Sequence, residues 1–312
     1  MHYLPALVLH FGLATAASVY QRKSLSNESA GTISCPIIFD GRIPLNATLQ
    51  SFDNANTSTF ISSAVKGENL TWSEILLFPN NTAPALFDPS DTYKPLEVTI
   101  DERSQFRPGG ASGKLQNAFR RAGLIFKDDL NDPGADAADN GTITFHWSIK
   151  SDPQRPLNLT HGYMNVWHEK ADYSGNQFMF VGGLILPGDG GNGIDTKEEK
   201  EKWRIQDFNK NSIFETPMLF DAWQNFAVQM DYVENTIRVF YSAGNTPLKA
   251  ATEALPNENG GGGQLQVGII KKPTETKTAL YDGYQEYLPN QAEGLIYSGV
   301  FVEDSTGGCV SV

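Results

Sequence analysis

The chain has 312 residues, 40% of them hydrophobic, with a formal net charge of -12 and only two cysteines. That length and composition support a large buried core and exclude a disordered polyelectrolyte. The negative charge argues against nucleic acids, anionic membranes and polyuronates as partners, since each calls for a basic surface, and a neutral ligand is the simpler expectation.

From the N-terminus, Tyr3 to Ala17 is mostly apolar, too short to span a bilayer, and ends in small residues around Ala14, Ala16 and Ser18. This pattern predicts a secretion signal over residues 1–17, followed by one domain over residues 18–312. Seven Asn-X-Ser/Thr sequons, at Asn27, Asn46, Asn56, Asn69, Asn80, Asn140 and Asn158, fit a glycosylating secretory route. No later run has the length of a membrane helix and the chain end has no hydrophobic tail, so the expectation is a soluble, extracellular monomer.

Cys35 and Cys309 lie near opposite ends of the chain. In an oxidising compartment the economical reading is one disulfide joining the ends of the domain, which would set Ile37-Ile38-Phe39 beside the strand-like Gly299 to Glu303. Two free thiols are the alternative. The spacing gives no zinc site.

Asn46 to Thr82, rich in Ser, Thr and Asn, reads as glycosylated loops at one end of a sheet. Ala111 to Arg121 and Thr196 to Trp203 have the pattern of short helices. Period-two alternation predicts strands at Thr142 to Ile149, Thr236 to Ser242, Gln264 to Ile270 and Leu295 to Glu303. Each has one apolar and one small or polar face, the signature of an antiparallel all-β sandwich with a face open to solvent or ligand. His146, with Thr144 and Ser148 on a polar face, either lines a groove or is an ordinary exposed or hydrogen-bonded histidine. The runs Gly188 to Gly193 and Gly260 to Gly263 are surface loops, because neither has the spacing of a phosphate-binding motif leading into a helix. Neither HExxH nor GxSxG occurs, and no cofactor or metal is expected.

The segment Tyr163-Met164-Asn165-Val166-Trp167-His168-Glu169 carries the most chemistry. As a regular strand it puts Tyr163, Asn165, Trp167 and Glu169 on one face. An indole offers a flat surface to the C–H face of a pyranose, an amide bonds its hydroxyls, and a carboxylate moves a proton at an acetal. The competing reading makes Tyr163 and Trp167 core aromatics and Glu169 a solvated strand end. Glu74, Glu286 and Glu303 are weaker carboxylate candidates, since a glycosidase pair is defined by distance in space.

The ordered motifs "CPIIFDGRIP", "WSEILLFP", "FRRAGLIF", "DPQRPLNLTHGYMNVWHE", "NQFMFVGG", "WQNFAV", "GIIKKPT", "DGYQE" and "GVFVEDSTGGC" resemble the fungal glycoside hydrolase family 131 catalytic domain over nearly all of the mature chain. The resemblance implies a secreted β-jelly-roll β-glucanase acting on β-1,3, β-1,4 or β-1,6 linkages with inversion, and Glu169 as a catalytic carboxylate. With it, Tyr163, Asn165, Trp167, Arg120, His146, Gln266, Gln285 and Glu286 become the candidate substrate-binding set. The chain departs from the family pattern at two points. Gly123 stands where an "FRRxEL"-type motif has its glutamate, and Gln266 stands where a histidine is usual. Three readings follow: an active glucanase using another partner carboxylate, such as Glu286 or Glu74, or a water chain; a weakened relative that binds β-glucan; and, least consistent with the acidic charge, a lyase.

Overall fold

The computed structural model describes residues 31–312 apart from 64, 135 and 288–290. The expected signal segment and the sequon at Asn27 lie outside the described residues.

In chain order the strands are β1 (Ile37–Asp40), β2 (Ile43–Pro44), β3 (Leu76–Leu77), β4 (Tyr93–Lys94), β5 (Leu96–Ile100), β6 (Arg120–Ile125), β7 (Thr142–Ser151), β8 (Gly162–Lys170) and β9 (Asn176–Gly183). They continue with β10 (Lys202–Gln206), β11 (Ser212–Pro217), β12 (Gln224–Asp231), β13 (Thr236–Ala243), β14 (Lys249–Ala250), β15 (Leu255–Pro256), β16 (Gly263–Lys271) and β17 (Glu293–Asp304). The larger sheet runs β14-β13-β12-β7-β17-β5-β3, with β1 added to β17 and β15 to β13; the smaller runs β11-β10-β9-β8-β16-β6. The pairings within both sheets are antiparallel. Chain neighbours such as β7 and β8 fall in different sheets, so the two layers are interleaved as a β-jelly roll.

The core between the layers is aromatic. Alternation along β7 turns Phe145, Trp147 and Ile149 inward, where Phe145 meets Phe178 of β9 at 5.4 Å and Trp147 meets Phe180 at 5.4 Å between ring centroids. Phe180 in turn packs on Phe226 of β12 at 4.7 Å. These contacts lock the smaller sheet onto the larger one, so the outer face of the smaller sheet has a rigid base.

All four expected strands are present, each within one or two residues of the predicted bounds. Thr196 caps a helix of only four residues, Lys197–Lys200. The other expected helix is absent: Gly110–Ser112 is a single 3-10 turn, and the chain then enters β6. Arg120 to Ile125 is buried at every position, and the gain from completing a sheet edge outweighs the weak local helical pattern.

The chain ends are joined as expected. Cys35 and Cys309 form a disulfide, β1 pairs with β17 with Ile37 opposite Glu303, and Ser34 N donates to Ser311 Oγ at 2.9 Å. These end segments, with Leu86 and Phe87, cover the outer face of the larger sheet around Phe301 and Phe240. Among the described residues no helix is long and apolar enough to cross a membrane.

Candidate active site

The strand β8 is not regular. Met164 pairs with Val181 and Val166 with Phe180, which leaves Asn165 as an extra residue without a partner on β9. A one-residue bulge reverses the alternation on either side of it. Before the bulge Tyr163 points into the core and Met164 outward; after it Val166 points inward and Trp167 outward. Tyr163 and Trp167 therefore lie on opposite faces of the sheet.

This phase change corrects part of the expected sugar platform. Tyr163 donates its hydroxyl to Glu293 at 2.6 Å and to the Asn158 carbonyl at 3.0 Å, inside the sandwich, and Glu293 is also paired with Lys271 at 2.7 Å. Asn165 is fully buried at the bulge, with no partner for either side-chain amide atom. Neither residue reaches the outer face.

The outer face of the smaller sheet forms a groove of about 660 Å³. Regular alternation along β6 and β16 brings Arg121 and Ile125 to it from one strand, and Gln264, Gln266 and Ile270 from the other. Met164, Trp167 and Glu169 come from β8, and Met179 from β9. A volume of this size, with an apolar base and a few converging polar groups, is that of a ligand site.

Glu169 is half-buried in this groove, and its Oε2 accepts a hydrogen bond from Gln266 Nε2 at 2.6 Å. Gln266 Oε1 accepts in turn from Arg121 Nη2 at 3.0 Å. The Arg121 guanidinium lies 5.7 Å from the Trp167 ring and 5.1 Å from that of Phe106, a partly aromatic cage suited to a planar cation. Burial pushes the Arg121 pKa down, and the charge of Glu169 offsets this only in part. The result is a chain of polar groups, guanidinium to amide to carboxylate, resting on an indole.

Gly123 lies in the same place. A Cβ on Gly123 would stand 3.0 Å from Gln266 Oε1 and 3.2 Å from Cη2 of Trp167. The position where the family resemblance implies a glutamate thus faces the Glu169 cluster, and here Gln266 and Trp167 close over it. The other carboxylate lining the groove is Asp189. Burial raises its pKa, but Lys272 at 2.9 Å and Lys210 at 3.3 Å outweigh this and hold it below the ordinary carboxylate range. An acid so held is ionised and is not a proton donor, and the same two lysines weaken it as a base.

Several other sequence candidates fall away from the groove. Arg120 points to the opposite side of β6 from Arg121 and donates to the carbonyls of Asn117 and Phe119. Gln285 donates to the carbonyls of Ala118 and Lys271, and Glu286 accepts from Asn158 Nδ2, so both belong to a structural clasp beyond the far end of β16. His146 is on the other sheet. It is stacked on Phe301 at 4.3 Å, hydrogen-bonded to Glu303 at 2.9 Å and sealed under the end segments. Its strand face is polar as expected, but the covering segments leave no opening there. Glu303 is committed to His146 and Ser311, and Glu74 caps a surface turn at Thr71.

Sequence reasoning missed Arg121, Asn131, Tyr173 and Asn176, all of which line the groove. Arg121 was separable from Arg120 only by knowing which face of β6 is buried. Tyr173, in the Asp172-Tyr173-Ser174-Gly175 turn, carried the signal of an aromatic at a hairpin tip. Among the described residues no group of three or more His, Cys, Asp or Glu is placed to hold a metal ion.

Comparison with known proteins agrees with this architecture. A sequence profile for the glycoside hydrolase 131 catalytic N-terminal domain matches residues 37–308. The chain belongs to this family. No curated protein matches the family 131 chain. Among solved structures it is similar to a GH131 β-glucanase catalytic domain from Podospora anserina, with a TM-score of 0.64 and 17% identity over 88% of this chain and 97% of that one. It is also similar to the catalytic domain of a glycoside hydrolase family 131 protein from Coprinopsis cinerea, with a TM-score of 0.60 and 18% identity over 88% of this chain and 96% of that one. At such identities these structures establish the shared fold of the family 131 domain.

Proposed function

We propose that the groove of this family 131 domain binds a β-glucan chain and that Glu169 is the carboxylate acting on its glycosidic bond. The observation that carries the reading is the position of Glu169 in the groove, held by Gln266 beside Arg121. Glucan is neutral, in keeping with the negative charge of the chain. In the inverting reaction implied by the resemblance, one carboxyl protonates the leaving oxygen and a second group activates water on the opposite face of the sugar. Glu169 supplies one of these functions, and Asp189, kept ionised, has the charge state of a base.

Gly123 favours a second reading, a glucan-binding relative with little turnover. Without a carboxylate at that position the proton inventory beside Glu169 is incomplete, and loss of one such group commonly costs orders of magnitude in rate. The linkages expected are β-1,3, β-1,4 and β-1,6. We also read the protein as a secreted, glycosylated monomer. The secretion and glycosylation part of this reading is supported by five exposed sequons, Asn46, Asn56, Asn69, Asn80 and Asn140; Asn158 is half-buried.

The test is to incubate purified protein with laminarin, pustulan and cello-oligosaccharides, analyse the products, and measure binding to the same glucans. Cleavage supports the hydrolase, binding without cleavage supports the second reading, and neither would refute both.

A further inference from the structure

Beyond Glu169, β8 turns into β9 through a hairpin whose tip holds Tyr173. Its φ is +60°, in the left-handed region that hairpins normally fill with Gly, Asn or Asp. An aromatic residue there is strained, and the strain is not offset by burial, because Tyr173 is 69% exposed. Its hydroxyl accepts from Asn131 Nδ2 at 2.9 Å. That bond alone does not account for the residue, since the same Asn131 amide is already tied to the Ala171 carbonyl at 3.2 Å.

What Tyr173 does have is a position. It lines the groove with Asn131, Asn176 and Gln264, and Gln264 is the direct cross-strand neighbour of Glu169. Trp167, the aromatic that the sequence offers for stacking, is only 1% exposed, whereas the Tyr173 ring is open to a ligand. An exposed flat ring with two side-chain amides close by has the chemistry of a pyranose subsite, one surface for C–H groups and the others for hydroxyls.

We propose that Tyr173 is the stacking platform of a glucosyl subsite next to Glu169, with Asn131, through its side-chain carbonyl oxygen, and Asn176 serving that sugar's hydroxyls. The proposal rests on the groove being a glucan site. The left-handed backbone at Tyr173 is then the conformation that presents the ring at the groove mouth.

Calorimetric titration of the intact protein with laminarin, pustulan and cello-oligosaccharides, comparing wild type, Tyr173→Phe and Tyr173→Gly, tests this. Tyr173→Phe keeps the ring and removes the hydroxyl; Tyr173→Gly removes the ring and suits the backbone. The expected result is near-wild-type affinity for Tyr173→Phe and about tenfold weaker binding for Tyr173→Gly. Melting temperatures serve as the folding control, and Tyr173→Asn, which also tolerates the left-handed region, replaces the glycine variant if that one melts early. Wild-type affinity in the ring-less variant, or an equal loss in Tyr173→Phe, overturns the proposal. A wild-type protein that binds none of these glucans removes the glucan reading itself, a failure distinguishable from loss of the Tyr173 subsite alone.

Discussion

Gly123 on β6 and Gln266 on β16 are diagonal neighbours, Gln266 pairing with Ile125, and the Gln266 side chain reaches over so that its Oε1 would stand 3.0 Å from a Cβ on Gly123. The same glutamine holds Glu169. Restoring a carboxylate at Gly123 therefore requires Gln266 to move, and both changes act on Glu169 together. Gly123→Glu combined with Gln266→Ala should raise glucan turnover on the order of 10²-fold, the scale of one general acid or base. Gly123→Glu alone should gain less and lose about 1–3 kcal/mol of stability through overpacking. Glu169→Gln should abolish whatever turnover exists, because an amide is nearly isosteric but cannot exchange the proton. Product analysis on all four proteins decides the matter, and activity surviving Glu169→Gln would remove the mechanism.

Trp167 is a structural support more than an open platform. It belongs to the outer apolar cluster with Met164, Met179, Val181 and Ile270, and the Arg121 guanidinium lies near its ring. Trp167→Ala should cost about 3–5 kcal/mol of stability, the range for truncating a buried aromatic. Glucan affinity should fall with it as Arg121 loses its support. Urea unfolding measures the first effect and calorimetry the second; a stability change under 1 kcal/mol would contradict the packing described.

Stability should decline as pH rises from about 5 to about 8. Burial pushes Asp129 up to about 8; burial together with the charge of Asp136 pushes Asp139 up to about 7. Burial lowers the neighbouring His168 to about 4. Between about pH 5 and 6.5 the folded chain retains two carboxyl protons that the unfolded chain has released, against one imidazole proton held only by the unfolded chain. The folded state is thus the net proton binder. The decline steepens above about 6.5, where His168 no longer counts, and flattens above about 8. Urea midpoints across this range check it. In Asp129→Asn/Asp139→Asn the slope between pH 5 and 6.5 should reverse, leaving the contribution of His168. A wild-type protein that gains stability from pH 5 to 8 would show that other groups dominate.

The disulfide closes a loop of 274 residues in sequence separation. Replacing Cys35 and Cys309 with alanine should lower stability by about 2–5 kcal/mol, and thiol titration of the unfolded, unreduced wild type should find none reactive. Two reactive thiols would disprove the bond.

Some of this was legible in the sequence, and the parts that were not have physical reasons. Strands such as Thr142 to Ile149 announce themselves because each has one face in the core, and the pairing of Cys35 with Cys309 needed only two cysteines and an oxidising setting. Glu169 was found because alternation resumes beyond the bulge and keeps it on the face of Trp167, whereas Gln266 was singled out only through the family resemblance. Tyr163 and Asn165 were misplaced because a bulge is a property of strand pairing, set by β9, and leaves no trace in the local pattern of β8. His146 does lie on the polar face of its strand, as read, but it is buried there and lines no groove. What lies over it, residues far away in the chain near Phe87 and Ser311, is tertiary information that no window around His146 contains.

The bulge at Asn165 also sets how β8 can change. Substitutions along it are read one side chain at a time, but losing or gaining a single residue between Tyr163 and Trp167 would exchange groove and core for half of the strand. Such a change would expel Tyr163 from its bond with Glu293 or draw Glu169 inward. The strand's length is therefore as much a part of the site as its side chains. An alignment that places a gap one residue off within this segment would assign groove roles to core residues without any sequence mismatch to reveal it.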